Sequence, residues 1–135
     1  MSEKNCPCSS NKSYAECCEP FITGKSHAPT AEALMRSRYS AYALGEIEYL
    51  PRTLPLLDRK NFDRKGAKEW SNQAEWKGLE ILKSQETHNG TKGTVEFKAK
   101  FKIGEEELEH HEISRFEKQM GRWFLLDGKI IENEA

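Results

Sequence analysis

The feature that most constrains this chain lies within its first 18 residues. All four cysteines sit there, at Cys6, Cys8, Cys17 and Cys18. The pattern is Cys-x-Cys, eight residues, then Cys-Cys. Zinc is commonly held in a tetrahedron by two close pairs of thiolate or imidazole ligands separated by a loop. This spacing supplies two such pairs. Pro7 and the run Ser9-Ser10-Asn11-Lys12 provide turn residues, and Asn11 tolerates a left-handed backbone. Ser13-Tyr14-Ala15-Glu16 fits one helical turn that presents Cys17 and Cys18. A unit of roughly 25 residues cannot bury enough apolar surface to fold alone. A bound metal contributes on the order of 10 kcal/mol to such a unit. Backbone amides of the knuckle turn are expected to hydrogen-bond the sulfurs and offset their charge.

The other readings of four cysteines fit less well. The N-terminus, MSEKNCPC, has no apolar stretch after its lysine and does not read as a secretory signal. No apolar run approaches the roughly 18–20 residues of a membrane-spanning helix. The expected compartment is the cytoplasm, where thiols stay reduced and disulfides are not the default. Adjacent Cys17 and Cys18 are poorly placed to pair with each other. A redox dithiol usually has two residues between its cysteines, not one or none. Four thiolates leave no open coordination position, so the expected centre is structural and not catalytic. Zinc is the expected metal, with iron in a single-metal thiolate site as the alternative. His27 follows the cluster as a spare ligand, unneeded if all four thiols bind.

The stretch from Cys6 to Cys18 resembles the SEC-C motif, the zinc-binding tail named for the C-terminus of the preprotein-translocase ATPase. The four ligand positions match, and Ser9 and Asn11 stand where the usual form has Gly. Pro20-Phe21 and the run from Ala28 to Tyr42 resemble the bacterial YchJ family. So do Trp76 to Leu82, His111-Glu112-Ile113-Ser114-Arg115-Phe116 and Gly121-Arg122-Trp123-Phe124. These stretches follow family order over most of the chain, most weakly between residues 50 and 75. The resemblance implies a SEC-C metal module, residues 1–24, followed by a nuclear transport factor 2-like α+β domain, residues 25–135. In that fold a strongly curved antiparallel sheet wraps the long first helix and leaves a cone-shaped cavity. Members include enzymes, binding modules and dimerisation domains, so the fold alone names no function. The family resemblance carries no established activity.

The residues themselves lead to the same class. Thr30 is an N-cap and Glu32 lies in the first turn, where the helix dipole favours an anion. Ala31, Leu34, Met35, Tyr39 and Tyr42 recur at helical steps and make one apolar face, which Gly45 ends. A short helical piece is expected over residues 46–50, with Pro51 and Pro55 breaking regularity. From Trp76 the period becomes two. Val95, Phe97, Ala99, Phe101 and Ile103 alternate with Glu96, Lys98, Lys100 and Lys102, which predicts a half-buried antiparallel strand. Residues 88–93 read as a turn, 108–116 as a third strand and 123–127 as a fourth. Asp127-Gly128 reads as a hairpin turn leading to a fifth short strand at Ile130 and Ile131. Helices followed by strands indicate helices packed on one antiparallel sheet.

Lys and Arg total 21 against 22 Asp and Glu, a net charge of −1. That balance gives no global case for nucleic acid or an anionic membrane. The local basic stretch from Arg59 to Lys68 reads as a solvated face, with RNA contact, as on a ribosome, the exception. The candidate acid–base or ligand-binding residues are His110, His111, Glu112, Ser114 and Arg115 on one strand with Arg36, Arg38, Tyr39 and Tyr42 on the first helix; His111, Glu112 and Arg36 lead, equally readable as a satisfied buried network. Strand alternation places His111, Ile113 and Arg115 on one face and His110, Glu112, Ser114 and Phe116 on the other, with a bulge or a buried polar group expected there. Trp76 and Trp123 are candidate cavity walls. No phosphate loop, nucleophile elbow or His-Glu-x-x-His signature is present. The first functional expectation is an adaptor that docks a protein partner, chaperone, secretion or ribosome related, through Lys12, Tyr14, Pro20 and Phe21. The second is an enzyme or small-molecule binder that uses the cavity.

Overall fold

The computed structural model describes residues 5–131. A 3-10 turn, Tyr14–Glu16, and a one-turn helix α1, Glu19–Ile22, carry the cysteine segment. Helix α2, Ala31–Leu44, follows, then α3, Tyr49–Arg52, a 3-10 segment, Leu56–Asn61, and α4, Arg64–Gln73. Four strands complete the chain: β1, Glu75–Thr87; β2, Lys92–Ile103; β3, Glu106–Gln119; and β4, Arg122–Ile130. They form one antiparallel meander in chain order, with β1 and β4 at its edges. This is the α+β arrangement expected, with helices on one face of a single sheet.

Helix α2 starts and stops as its sequence predicts. Thr30 Oγ1 accepts from Ala33 N at 3.0 Å, and Gly45 ends the helix at φ 76°. Its burial goes beyond the expected apolar face. Ser37, Arg38 and Ser40 are buried as well, because α1, α3, α4 and the sheet all pack against it. Val95, Phe97, Ala99 and Phe101 of β2 turn inward toward this helix, as their alternation requires. Lys98 and Lys100 turn outward and pair with Glu109 and Glu80.

Three local expectations are corrected. The short helix is α3, three residues later than expected, and Pro51 lies inside it. A proline in the first turn of a helix forfeits only an amide that has no intrahelical partner. Lys92 and Gly93 belong to β2, not to the turn. Asp127-Gly128 is no hairpin: both residues lie within β4, opposite Arg115 and Ser114, and Ile130 belongs to the same strand. The sheet has four strands among the described residues.

The cysteine segment is not a separate bead. Cys6, Cys8, Cys18 and Ile22 belong to the same buried cluster as Leu34, Tyr39, Leu50 and Leu79. At a register shift in β1 between Trp76 and Gly78, one backbone amide turns to α2 and the next to this segment. Gly78 N donates to the Tyr39 hydroxyl at 2.8 Å, and Leu79 N donates to Ser9 Oγ at 3.1 Å. Ser9 holds this position at φ 66°, a conformation that glycine adopts without strain. The serine keeps the strained backbone and adds a side-chain acceptor. Ser9→Ala is therefore expected to destabilise the protein by about 1 kcal/mol through the lost bond to Leu79. Ser9→Gly, which also relieves the backbone, is expected to cost less. Urea unfolding midpoints of the two variants check the order.

Candidate metal centre and cavity

The fold closes the four cysteines on one another. Their Sγ atoms all lie within 4.8 Å of each other. Cys8 and Cys17 approach to 3.6 Å, and Cys17 and Cys18 to 3.8 Å. A tetrahedral metal with metal–sulfur bonds of about 2.3 Å needs sulfurs about 3.8 Å apart. The donor set and spacing therefore fit one four-coordinate ion of thiolate preference. Cys6, Cys8 and Cys18 are buried and Cys17 is half-buried. Hydrogen bonds from Cys18 and Cys6 pull the Cys8 thiol far below the ordinary thiol range, despite its burial. The same contacts push Cys18 up, and burial pushes Cys17 up to about 11. A cation bound by the four sulfurs would displace these protons and replace the contacts that hold them.

The surroundings of the sulfurs differ from the expectation of backbone amides. Among the described residues, side chains meet them. Ser10 Oγ lies 3.1 Å from Cys17 Sγ and Ser40 Oγ lies 3.4 Å from Cys6 Sγ. Arg36 Nη1 donates to the Cys8 carbonyl at 2.8 Å and approaches Cys8 Sγ at 3.9 Å, while Arg36 Nε donates to Glu32 at 3.0 Å. A guanidinium here offsets the excess negative charge that four thiolates leave on a divalent ion. His27 lies apart from the cluster, in a crevice with Tyr49 and Trp123.

Arg36 is thus a neighbour of the thiol cluster and not a cavity residue. Positions 36 and 38 lie two helical steps apart, about 200° around the axis, so they face opposite ways. Arg38 takes the cavity side. A cavity of about 90 Å³ lies between α2, α4 and the concave face of the sheet, lined by Arg38, Tyr42, Trp70, Trp76, Phe97, His110, Glu112 and Ser114 among others. His110 Nε2 donates to Glu112 Oε2 at 2.8 Å, and Ser114 Oγ donates to Glu112 Oε1 at 2.7 Å. Burial alone would raise Glu112; these two bonds and the nearby charge of Arg38 hold it below the usual carboxylate range.

Gly128 explains its own position in β4. A Cβ there would lie 2.2 Å from Glu112 Oε1, so a side chain at 128 would displace the carboxylate from its donors. His111 faces the other way, as alternation predicts, and meets Glu96 Oε2 at 2.7 Å on the outer face. Of the three leading candidates His111, Glu112 and Arg36, only Glu112 reaches the cavity. The bulge expected near Phe116 falls on the partner strand, where Leu126 is the extra residue opposite Arg115 and Phe116. Phe116 is buried on the concave side with Ser114. Trp76 lines the cavity, whereas Trp123 packs in the core and donates its indole N–H to Pro29 O. Arg38, Tyr39, Tyr42, His110 and Ser114, also candidates in the sequence, line the cavity with Glu112; Trp70, which the sequence marks only as an aromatic residue in a basic stretch, joins them.

The basic stretch is engaged locally. Arg59 donates to the carbonyls of Leu54 and Arg52, and Arg64 pairs with Glu48 at 2.7 Å. No helix is long and apolar enough to cross a membrane among the described residues.

Comparison with known proteins places this arrangement. Residues 30–128 match the family model described as the YchJ middle NTF2-like domain. The chain belongs to the YchJ family. A UPF0225 protein of Geobacter sulfurreducens is 44% identical over 131 residues, covering 94% of this chain and 80% of the relative. The solution structure of a SEC-C motif containing protein from Rhodopseudomonas palustris matches with a TM-score of 0.87 at 40% identity, over 96% of this chain and all of that one. The crystal structure of a SEC-C motif containing protein from Psychrobacter arcticus matches with a TM-score of 0.81 at 32% identity, over 96% of this chain and 84% of that one. The YchJ fold and the four-cysteine cluster thus occur together here, as the sequence resemblance implies.

The Glu112 pair gives a pH test. Its folded pKa lies below the unfolded one, so its ionised form adds stability at neutral pH. That contribution is lost as pH falls through the folded value. Glu112→Gln is expected to lower the thermal midpoint at pH 7 and to lose that effect only at an acid pH below the folded value, beneath the roughly pH 4 at which an unfolded glutamate titrates. An equal deficit at both pH values would contradict this.

Proposed function

We propose that this YchJ-family chain is a zinc-stabilised interaction protein whose knuckle presents a docking surface to a protein partner in the cytoplasm. The observation that carries the reading is the contrast between the closed thiol cluster and the open groove beside it. Four sulfurs that surround one point leave no position for a substrate, so the metal's role is structural. Zinc suits an all-thiolate tetrahedron without redox chemistry; iron is the alternative. The four thiols Cys6, Cys8, Cys17 and Cys18 would hold it, and Arg36 would balance the charge of the site.

A groove of about 420 Å³ runs along the exposed side of Cys17, lined by Lys12, Glu16, Phe21, Glu32, Ala33 and Arg36 among others. It combines an aromatic ring with charges of both signs, the composition of a site that anchors a side chain and orients it. Lys12 and Phe21 of the expected surface line it. Tyr14 instead packs partly into the core, where burial first and the nearby Glu19 second raise its hydroxyl to about 12. The similarity of the knuckle to the translocase tail points to a chaperone, secretion or ribosome-related partner.

Elemental analysis of protein prepared without chelator is expected to find one zinc per chain, lost in Cys17→Ser. X-ray absorption is expected to show four sulfurs at about 2.3 Å. Phe21→Ala is expected to keep the metal and lose the partner in an affinity capture. Full capture by metal-free protein, or by the Phe21 variant, overturns the docking reading. Absence of metal with two disulfides overturns the zinc reading.

A further inference from the structure

The cavity on the concave face is a built site in its own right, and nothing in the metal-centre reading uses it. Its polar wall is unusual. Arg38 is only 8% exposed, yet it carries a full charge at the base of the cavity. Burial of a guanidinium is costly unless its donors are met. Nη1 donates to Leu50 O at 3.2 Å and to the Thr53 hydroxyl. A guanidinium has five N–H groups. The three on Nε and Nη2 have no protein acceptor among the described residues. They are not sealed off either. The one fully enclosed side-chain polar atom without a partner among the described residues is His111 Nδ1, on the outer face of the sheet. The free donors of Arg38 therefore open onto the cavity.

The other charges do not answer that need. Glu112 already accepts from His110 and Ser114, one bond to each oxygen. The remaining wall is aromatic. Tyr42, Trp70 and Trp76 lie with ring centres 5.1 to 5.9 Å apart in tilted contact, and Trp70 meets His110 edge-on at 5.6 Å. The volume of about 90 Å³ exceeds several-fold the roughly 10–15 Å³ that a single water occupies on the same measure. His110 and Glu112 are about one-fifth exposed, which marks the mouth. The wall carries flat apolar rings, one buried cationic fork with free donors, and a carboxylate whose two oxygens are already bonded to His110 and Ser114; it is complementary to a flat apolar body whose anionic group meets the fork.

We propose that this cavity binds a small planar monocarboxylate, with the carboxylate on the free N–H groups of Arg38 and the apolar body against Tyr42, Trp70 and Trp76. Planarity follows from the rings. The single negative charge follows from the free donors of Arg38, since the Glu112 oxygens are taken up by His110 and Ser114. The small size follows from the volume. This site is independent of the docking reading, since it shares no lining residue with the groove beside Cys17.

Benzoate is the probe, titrated into the full, metal-loaded chain and followed by calorimetry and tryptophan fluorescence. Benzylamine, of the same shape and opposite charge, is the control. Saturable benzoate binding with a change in tryptophan emission is expected, and none with benzylamine. Arg38→Met is expected to weaken benzoate binding about tenfold or more. Because Arg38 also ties α2 to α3, that variant can fail to fold. Ala99→Leu therefore provides a second arm, since Ala99 lines the cavity and a larger side chain fills it. Its folded form is expected to lose benzoate. No benzoate binding by the folded wild type, equal binding of benzylamine, or unchanged benzoate affinity in Ala99→Leu each overturns the proposal.

Discussion

Two backbone amides on the edge strand hold the three parts of this protein together. The irregularity in β1 frees the N–H groups of Gly78 and Leu79 from the ladder. Buried amides need acceptors. Tyr39 of α2 supplies one and Ser9 of the cysteine knuckle supplies the other. The same glycine backbone, at φ 145°, lets the knuckle approach so closely that a Cβ would sit 3.2 Å from the serine hydroxyl. Sheet, helix and cysteine knuckle thus meet at one bulge. A knuckle attached in this way is positioned by the domain and in turn covers part of its core.

Helix α2 is the shared wall of both sites. One side carries Arg36 and Ser40 to the cysteines. The other carries Arg38 and Tyr42 to the cavity. Tyr39 stands between them, stacked edge-on against Trp76 at 5.5 Å. This double duty accounts for the polar residues buried along the helix. Ser37 bonds the Tyr49 hydroxyl at 2.7 Å, and Arg38 caps the end of α3. None of these contacts is apolar, yet each fixes how α2 and α3 sit relative to one another. A helix with a single greasy stripe could serve one site; this one serves two because its polar residues also have partners.

The two sites differ in what they leave open. The thiol cluster satisfies itself and exposes only the shoulder at Cys17. The cavity satisfies Glu112 but leaves part of Arg38 unmet. A closed polar network adds stability and specifies geometry. An incomplete one reserves hydrogen-bonding capacity for something that enters. This contrast separates a self-contained thiol cluster from a cavity with hydrogen-bonding capacity left open.

The sequence alone determined the cysteine pairs, the limits of α2, the alternation of β2 and the family. Each is a local pattern: close spacing of thiols, a cap with a helical period, a strict period of two. Strand alternation also separated His110 and Glu112 from His111 correctly. The tertiary structure decided which charged residues meet. The helical period puts Arg36 and Arg38 on opposite sides of α2, and only the packing of the knuckle decides which of them meets the cysteines and which the cavity. Asp127-Gly128 reads locally as a turn, whereas its glycine exists to admit a carboxylate from the neighbouring strand. Buried polar contacts join residues far apart in sequence, Tyr39 to Gly78 and Ser9 to Leu79, and no local period encodes them. Their partners become visible only when the sheet has curved around the helix.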